Sequence, residues 1–312
     1  MANYRALTST LNLSSTNVVV LGGTSGIGAA IAVRFAALGA SILVMGRTEA
    51  AGADVVRAMQ SASGDGTPAT LSYRRADLGT VTGIRNAADD IGAWAGPKGV
   101  DYLIQSQGAS FSGPATGIWP PSTESVTCAF HTQVLSHFLV PYLLLSRAEP
   151  ALRDGARVFN VARPGEIGRA IDMDDVMGLQ LMEGGARAFV GGLLKWAFII
   201  DLFTEEFNRR FPRTRTLHAF PGSVATTNKT HPSLPWIYRA IGWLATWFAQ
   251  APADYADVAV WEAASEEWKT KDWTFCDYRG KEVKVDESVL VDDGLRVRVW
   301  DKLLEMGGEK QV

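Results

Sequence analysis

Apolar and polar positions alternate along this chain in blocks of two kinds. Short runs rich in β-branched and large aliphatic residues stand at 17–21, 41–45, 71–75, 100–105, 156–161 and 215–220. Each is too short for a buried helix and is bounded by Gly or polar residues, so each predicts a strand. Between them lie segments with apolar residues at helical spacing. Ile27, Ile31, Phe35 and Leu38 mark one face of a helix that opens at Gly26 and stops at Gly39. Thr48 stands where it caps the next helix, although Ala51 occupies the place where a capping box needs Glu or Gln. A helix over 123–145 is expected to kink at Pro141, and a long one covers 184–210. Strands and helices alternate from 17 to 220, which predicts parallel βαβ units with right-handed crossovers. The fold class that follows is α/β, a Rossmann-type doubly wound parallel sheet. Beyond 230 the pattern predicts helical insertions, a last strand at 273–275, a turn at 279–281 and a closing amphipathic helix over 295–306. No linker, repeat or low-complexity tract divides the chain. A single domain over 1–312 is therefore expected, with a core at 17–226 and a lid plus closing elements at 227–312.

Bulk composition narrows the class. The chain of 312 residues is 47% hydrophobic and 20% charged, ordinary for a soluble domain with a full core. A net charge of −3 gives no electrostatic handle for nucleic acid or an anionic membrane. Cys128 and Cys276 lie far apart, with no metal spacing such as CxxC. The N-terminal residues Met1 to Arg5 lead into a polar stretch rather than the apolar core of a signal peptide, and no uninterrupted run reaches the roughly 18 apolar residues of a spanning helix. The apolar stretch at 190–203 is broken by Lys195 and Asp201. These features predict an unprocessed cytoplasmic protein.

Residues 21–28, LGGTSGIG, follow the first strand and open the first helix. Glycines 22, 26 and 28 let the backbone turn tightly and approach a pyrophosphate, and the helix N-terminus offers free N–H groups with a partial positive charge. The spacing is GxxxGxG rather than GxGxxG. It resembles the TGxxxGIG loop of the short-chain dehydrogenase/reductase family, with Leu21 in the Thr place. Ala76-Asp77-Leu78 is similar to the family's Asp-Leu pair at the adenine, and Gln105-Ser106-Gln107-Gly108 stands where the family has NNAG. Residues 220–226, FPGSVAT, match its PGxVxT loop along the nicotinamide. The four motifs occur in order at strand ends between 17 and 226. The resemblance implies a dinucleotide held by Gly22, Thr24, Ser25, Gly26, Ile27, Gly28, Asp77, Leu78, Ser106, Gly108, Pro221, Gly222, Val224 and Thr226. Arg47 follows the second strand, where an acidic residue holds a ribose 2′-hydroxyl and a basic one accommodates a 2′-phosphate, so NADP(H) is expected.

The family's catalytic set is Asn, Ser, Tyr and Lys. Lys195 matches the Lys, and the resemblance implies that it also holds the nicotinamide ribose. The Tyr of YxxxK falls at Gly191, the Ser at Arg163 and the Asn at Gln133. No shift of register recovers the missing groups, because the chain has no tyrosine between Tyr142 and Tyr238 and no serine between Ser146 and Ser223. A general acid worth about 10²–10⁴ in rate is therefore absent or replaced. Fungal relatives with a degenerate YxxxK look similar, several of them in natural-product pathways. Three readings follow: a reductase with proton delivery by water or another residue, a non-redox cyclase or isomerase, and a cofactor-binding protein without turnover. An oxidoreductase of secondary metabolism stands first, because the phosphate loop, the lysine and the PGxVxT loop are all present.

Arg163 carries a fixed charge able to anchor a carboxylate or an oxyanion, but its pKa bars it from acting as the acid. Glu166 and Asp172 follow in the same loop and read first as solvated carboxylates. His131 and His137 point to different helix faces. His137 and His218 read as structural. Trp236, Trp243 and Trp247 share one face of a helix that is apolar on most sides, with only Arg239 charged. A monotopic membrane helix needs a strongly cationic face, so core or a lid over a large apolar substrate is expected instead. The partner implied is a hydrophobic small molecule such as a ketone, imine or enone. Family members commonly form dimers or tetramers through the two long mid-chain helices, a surface that the C-terminal tail is able to block.

Overall fold

The computed structural model describes residues 3–64, 69–108, 123–165, 168, 170–180, 186–225 and 249–310, with the side chains of 186–190 excepted. In chain order the elements are α1 (Tyr4–Thr8), β1 (Asn17–Leu21), α2 (Gly26–Ala37), β2 (Ser41–Gly46), α3 (Glu49–Ser63), β3 (Leu71–Arg75), α4 (Val81–Ala95) and β4 (Val100–Gln105). There follow α5 (Thr123–Phe130), a π-helical turn (His131–Leu135), α6 (Ser136–Leu145), β5 (Leu152–Val161), α7 (Ala186–Arg210) and β6 (Arg215–Phe220). The chain ends with α8 (Pro252–Ala264), α9 (Glu266–Thr270), β7 (Phe275–Asp277), α10 (Glu287–Val291) and α11 (Asp293–Gly307).

The strands pair in parallel in the order β3-β2-β1-β4-β5-β6-β7. This is the doubly wound Rossmann-type sheet that the alternation predicts. Side chains alternate along β1, so Val18 and Val20 enter one apolar cluster while Val19 and Leu21 enter the other. The first cluster lies under α2, α3 and α8, and the second under α4, α6, α7 and α11. Burial on both faces is why the strands read as continuous apolar runs rather than alternating ones. The winding reverses between β1 and β4, which opens a crevice at the carboxyl ends of the strands.

Several local expectations are corrected. The helix over 123–145 is interrupted by a π turn at His131–Leu135, and Pro141 lies inside the α-helical segment that follows. Pro141 has no N–H for the carbonyl of His137 one turn back, and Gln105 Nε2 donates to that carbonyl instead at 3.0 Å. Although no uninterrupted apolar run spans it, Thr123–Leu145 is long and apolar enough on average to cross a membrane, and 61% of its most apolar window is buried inside the fold. Thr48 occupies the N-cap of α3 but makes no side-chain cap bond. The last strand starts two residues later than expected, because Trp273 packs edge-on against Trp268 instead. Within the C-terminal part, α8 packs on α2, and α11 drives Trp300 between Phe138 and Phe207 with ring centroids 4.8 and 4.7 Å apart. The tryptophan-rich stretch around 236–247, read as a lid, lies outside the described residues.

Candidate cofactor and active site

The turn after β1 is built against the end of β4. Gly22 has φ +71°, and a Cβ there would fall 2.5 Å from the Gln107 backbone nitrogen and 2.6 Å from its Cα. A Cβ on Gly28 would fall 2.2 Å from Ser106 Oγ and 2.5 Å from Gly22 O. Only glycine allows these two approaches. Ser106 stitches the two loops together, its hydroxyl donating to Leu21 O at 2.9 Å and its amide to the same oxygen at 3.0 Å. Ser25 is the N-cap of α2 yet makes no side-chain cap bond, so the first amides of that helix lack a side-chain cap. Thr24 lies against Gly46 at the end of β2, 2.6 Å from where a Cβ would stand. A glycine-lined cradle with an uncapped helix N-terminus fits a diphosphate.

Beside the cradle, the ends of β2 and β3 carry two cations. Arg47 is exposed and has no hydrogen-bond or ion-pair partner among the described residues. Gly46 is in register with Arg75, and Arg75 is likewise exposed and unpaired among the described residues. Asp77 follows β3 and accepts from Gly79 N at 3.1 Å, while Leu78 is buried. Ile27 is half-buried on α2, and Gly108 is exposed past β4.

Across the crevice, Lys195 on α7 is only 6% exposed, with no hydrogen-bond or ion-pair partner among the described residues. Gly191, one turn earlier, is half-buried. Arg163 is exposed just past β5, its guanidinium carbon 5.9 Å from the Phe220 ring centroid. The strand ends therefore bring Arg163 and the turn after β6 together. Gln133 sits half-buried within the π turn. Pro221 and Gly222 are half-buried, and Val224 is buried. Thr226 and Glu166 lie outside the described residues. Asp172 is exposed and accepts from Asp174 N at 2.9 Å, which suits a loop carboxylate in solvent.

Beneath the crevice runs a buried polar row. Gln105, Asn160 and His218 are neighbours in register on β4, β5 and β6. Gln105 Nε2 donates to Asn160 Oδ1 at 2.7 Å, and Asn160 Nδ2 donates to Thr204 Oγ1 at 3.3 Å. His218 Nδ1 pairs with Asp201 Oδ1 at 2.8 Å, and Asp201 Oδ2 accepts from Gly165 N at 3.1 Å, two residues past Arg163. Gln107 Nε2 lies 2.9 Å from Ser136 Oγ and 3.2 Å from His137 Nδ1. Burial, and secondarily the nearby His218, lowers the His137 pKa to about 3. His131 instead contacts Gly79 O through Nδ1 at 3.0 Å, so the two helical histidines serve different sides.

A sequence model of the family described as short chain dehydrogenase matches residues 16–162. Mouse polyprenol dehydrogenase is 28% identical over 255 residues, covering 80% of this chain and 71% of that protein. Human retinol dehydrogenase 11 is 28% identical over 270 residues, covering 85% and 78%. Both matches extend well beyond the cradle into the second half of the sheet. Over residues 16–162, just under half of its length, the chain is similar to the short-chain dehydrogenase family. Among solved structures, a short chain dehydrogenase from Burkholderia cenocepacia in complex with NADP superposes with a TM-score of 0.61 at 18% identity, covering 89% of this chain and 99% of that one. The angucycline C-6 ketoreductase LanV with bound NADP gives 0.59 at 22% identity, covering 86% and 95%.

Reasoning from sequence to this family missed Arg75, although the Arg74-Arg75 pair at a strand end was a visible signal. It also missed Tyr278, which follows β7 and lies 2.8 Å from where a Cβ of Gly222 would stand. A cavity of about 560 Å³ opens beside this turn, lined by Tyr4, Arg5, Ser223, Gln250, Asp254 and Tyr278 among others. Its lining includes neither the glycine loop nor Lys195.

Proposed function

We propose that this chain binds NADP(H) and transfers a hydride between it and a hydrophobic ketone, imine or enone, without the tyrosine acid usual in the family. One observation carries the reading. Lys195 is buried with no protein partner among the described residues, across the crevice from a cradle that only glycines can form. With no protein partner among the described residues, that ammonium is left open to a ligand's hydroxyl or phosphate oxygen. When bound, the nicotinamide supplies the hydride. The amides at 22–28 hold the diphosphate, Arg47 and Arg75 face the 2′-phosphate, and Lys195 donates to the nicotinamide ribose. Arg163 stabilises negative charge on the substrate, either a carboxylate or the oxygen that develops it. Gln133, in the Asn place, orders the water that delivers a proton. An iminium substrate already carries its positive charge and needs no acid. Two relatives named for apolar alcohols, retinol and polyprenol, support a hydrophobic substrate. The angucycline ketoreductase supports a role in secondary metabolism. Gly191 in the Tyr place favours a second reading, in which the cofactor binds and the chemistry is non-redox or lost.

Incubation with NADPH and a panel of polycyclic ketones, imines and enones tests both. Loss of the nicotinamide absorbance supports hydride transfer. Product without loss of absorbance assigns a cyclase or isomerase, and binding alone assigns a protein without turnover. Two variants address the cofactor directly. Arg47→Asp is expected to weaken NADPH about 10–100-fold, the loss of a charge-assisted contact, and to leave NADH the tighter ligand. Equal affinity of the parent for both cofactors defeats this assignment. Lys195→Met is expected to weaken NADPH about tenfold or more while leaving the melting temperature little changed, because the ammonium has no partner within the described protein to lose. Unchanged affinity by calorimetry takes Lys195 out of the site.

A further inference from the structure

The turn that follows β6 has little of its own to hold it. The strand ladder ends at Phe220, Pro221 has no N–H, and Gly222 adopts φ +69°. Three contacts fix it from one side. Val224 and Gln250 form an isolated parallel bridge, in which Ala225 N donates to Gln250 O at 3.0 Å and Gln250 N donates to Ser223 O at 2.9 Å. The Gln250 side chain reaches past the bridge, its Nε2 donating to Pro221 O at 2.6 Å. The Tyr278 ring closes against Gly222. Gln250 in turn stands two residues before α8, which packs along α2 and is tied to it by Arg34 and Asp257 at 2.6 Å. The helix whose N-terminus forms the diphosphate cradle therefore leads, through α8, to the side chain that pins the Pro221 carbonyl.

We infer that Gln250 is a positioning residue for the nicotinamide half of the cofactor, acting through the Pro221–Gly222 turn. This rests on the cofactor reading above. Gln250 holds the turn through its bonds to Pro221 O, Ser223 O and Ala225 N, so it sets how well the nicotinamide end is bound and leaves the adenine end untouched.

Calorimetry with two ligands tests this. One is NADPH. The other is 2′-phospho-ADP-ribose, which shares the diphosphate and 2′-phosphate but has no nicotinamide. The proteins are the parent, Gln250→Ala and Gln250→Glu. The glutamate keeps the size of the side chain but, when ionised, has no donor for the Pro221 carbonyl. Both variants are expected to weaken NADPH roughly three- to tenfold, the worth of one hydrogen bond, with the fragment bound as in the parent. Unchanged NADPH affinity, or equal weakening of both ligands, overturns the role. If the alanine variant fails to melt cooperatively, the glutamate variant gives the same reading. A parent that binds neither ligand overturns the cofactor reading as well, a result distinct from a parent that binds both while the variants leave their ratio unchanged.

Discussion

Gly22→Ala is expected to abolish NADPH binding at concentrations that saturate the parent, whereas Gly64→Ala leaves binding intact. The two glycines share a positive φ, +71° and +72°, so an L-residue is strained at both. Their surroundings differ. Nothing lies within 4 Å of a Cβ at Gly64, but at Gly22 the new methyl would meet the Gln107 backbone at 2.5 and 2.6 Å. Backbone at a strand end cannot move aside as a flexible side chain does. The turn after β1 must therefore lift away from β4, breaking the Ser106–Leu21 bonds and spreading the amides of the cradle. Gly64→Ala carries only the conformational cost, about 1–3 kcal/mol. Gly22→Ala adds overpacking and comes to roughly 3–5 kcal/mol in total. Calorimetry with NADPH and urea unfolding of both variants separate the two terms. Wild-type affinity in Gly22→Ala would show that the glycine loop does not hold the cofactor.

How far the chain could be read beforehand followed the range of the interactions involved. The strands from β1 to β6 are legible because both faces of a central parallel sheet are buried, so Val18–Leu21 is apolar throughout. Lys195 and the glycine loop are legible because spacing along one strand, turn or helix places them. The short β7 is less so, because its three residues ladder with β6 while the more apolar Trp273 serves the Trp268 cluster. The buried row of Gln105, Asn160 and His218 was hidden because the three lie on three different strands, and no spacing within one strand links them. Only the pairing register aligns them, and only Pro141 frees the carbonyl that Gln105 takes. Gln250 and Tyr278 follow the same rule. Their contacts with the turn after β6 join residues 25 or more apart, and no periodicity encodes such a partner.

The polar row also makes stability depend on pH, and His137→Gln should remove much of the acid sensitivity. Gln107 Nε2 donates to His137 Nδ1, so the ring proton sits on Nε2, which is buried without a hydrogen-bond partner among the described residues. Adding a second proton would place a charge in this dry site, beside His218, and the pKa falls to about 3 for that reason, burial first and His218 second. In the unfolded chain the same ring titrates near 6.5. Between these values the unfolded state holds the extra proton, so stability rises with pH there and drains away as pH drops from 6.5 toward 3. Each pH unit in that window is worth about 1.4 kcal/mol, and the whole of it roughly 4–5 kcal/mol. Glu262 works in the opposite sense. Burial raises its pKa well above the usual value, so its contribution is complete at low pH and fades as pH climbs past the ordinary carboxylate range. Comparing parent and variant cancels Glu262 and the surface carboxylates. Urea unfolding at pH 7 and pH 4.5 should show the parent losing about 2–3 kcal/mol more than His137→Gln over that interval. Parallel losses in the two proteins would mean that this imidazole accepts its proton in the fold as readily as in the unfolded chain.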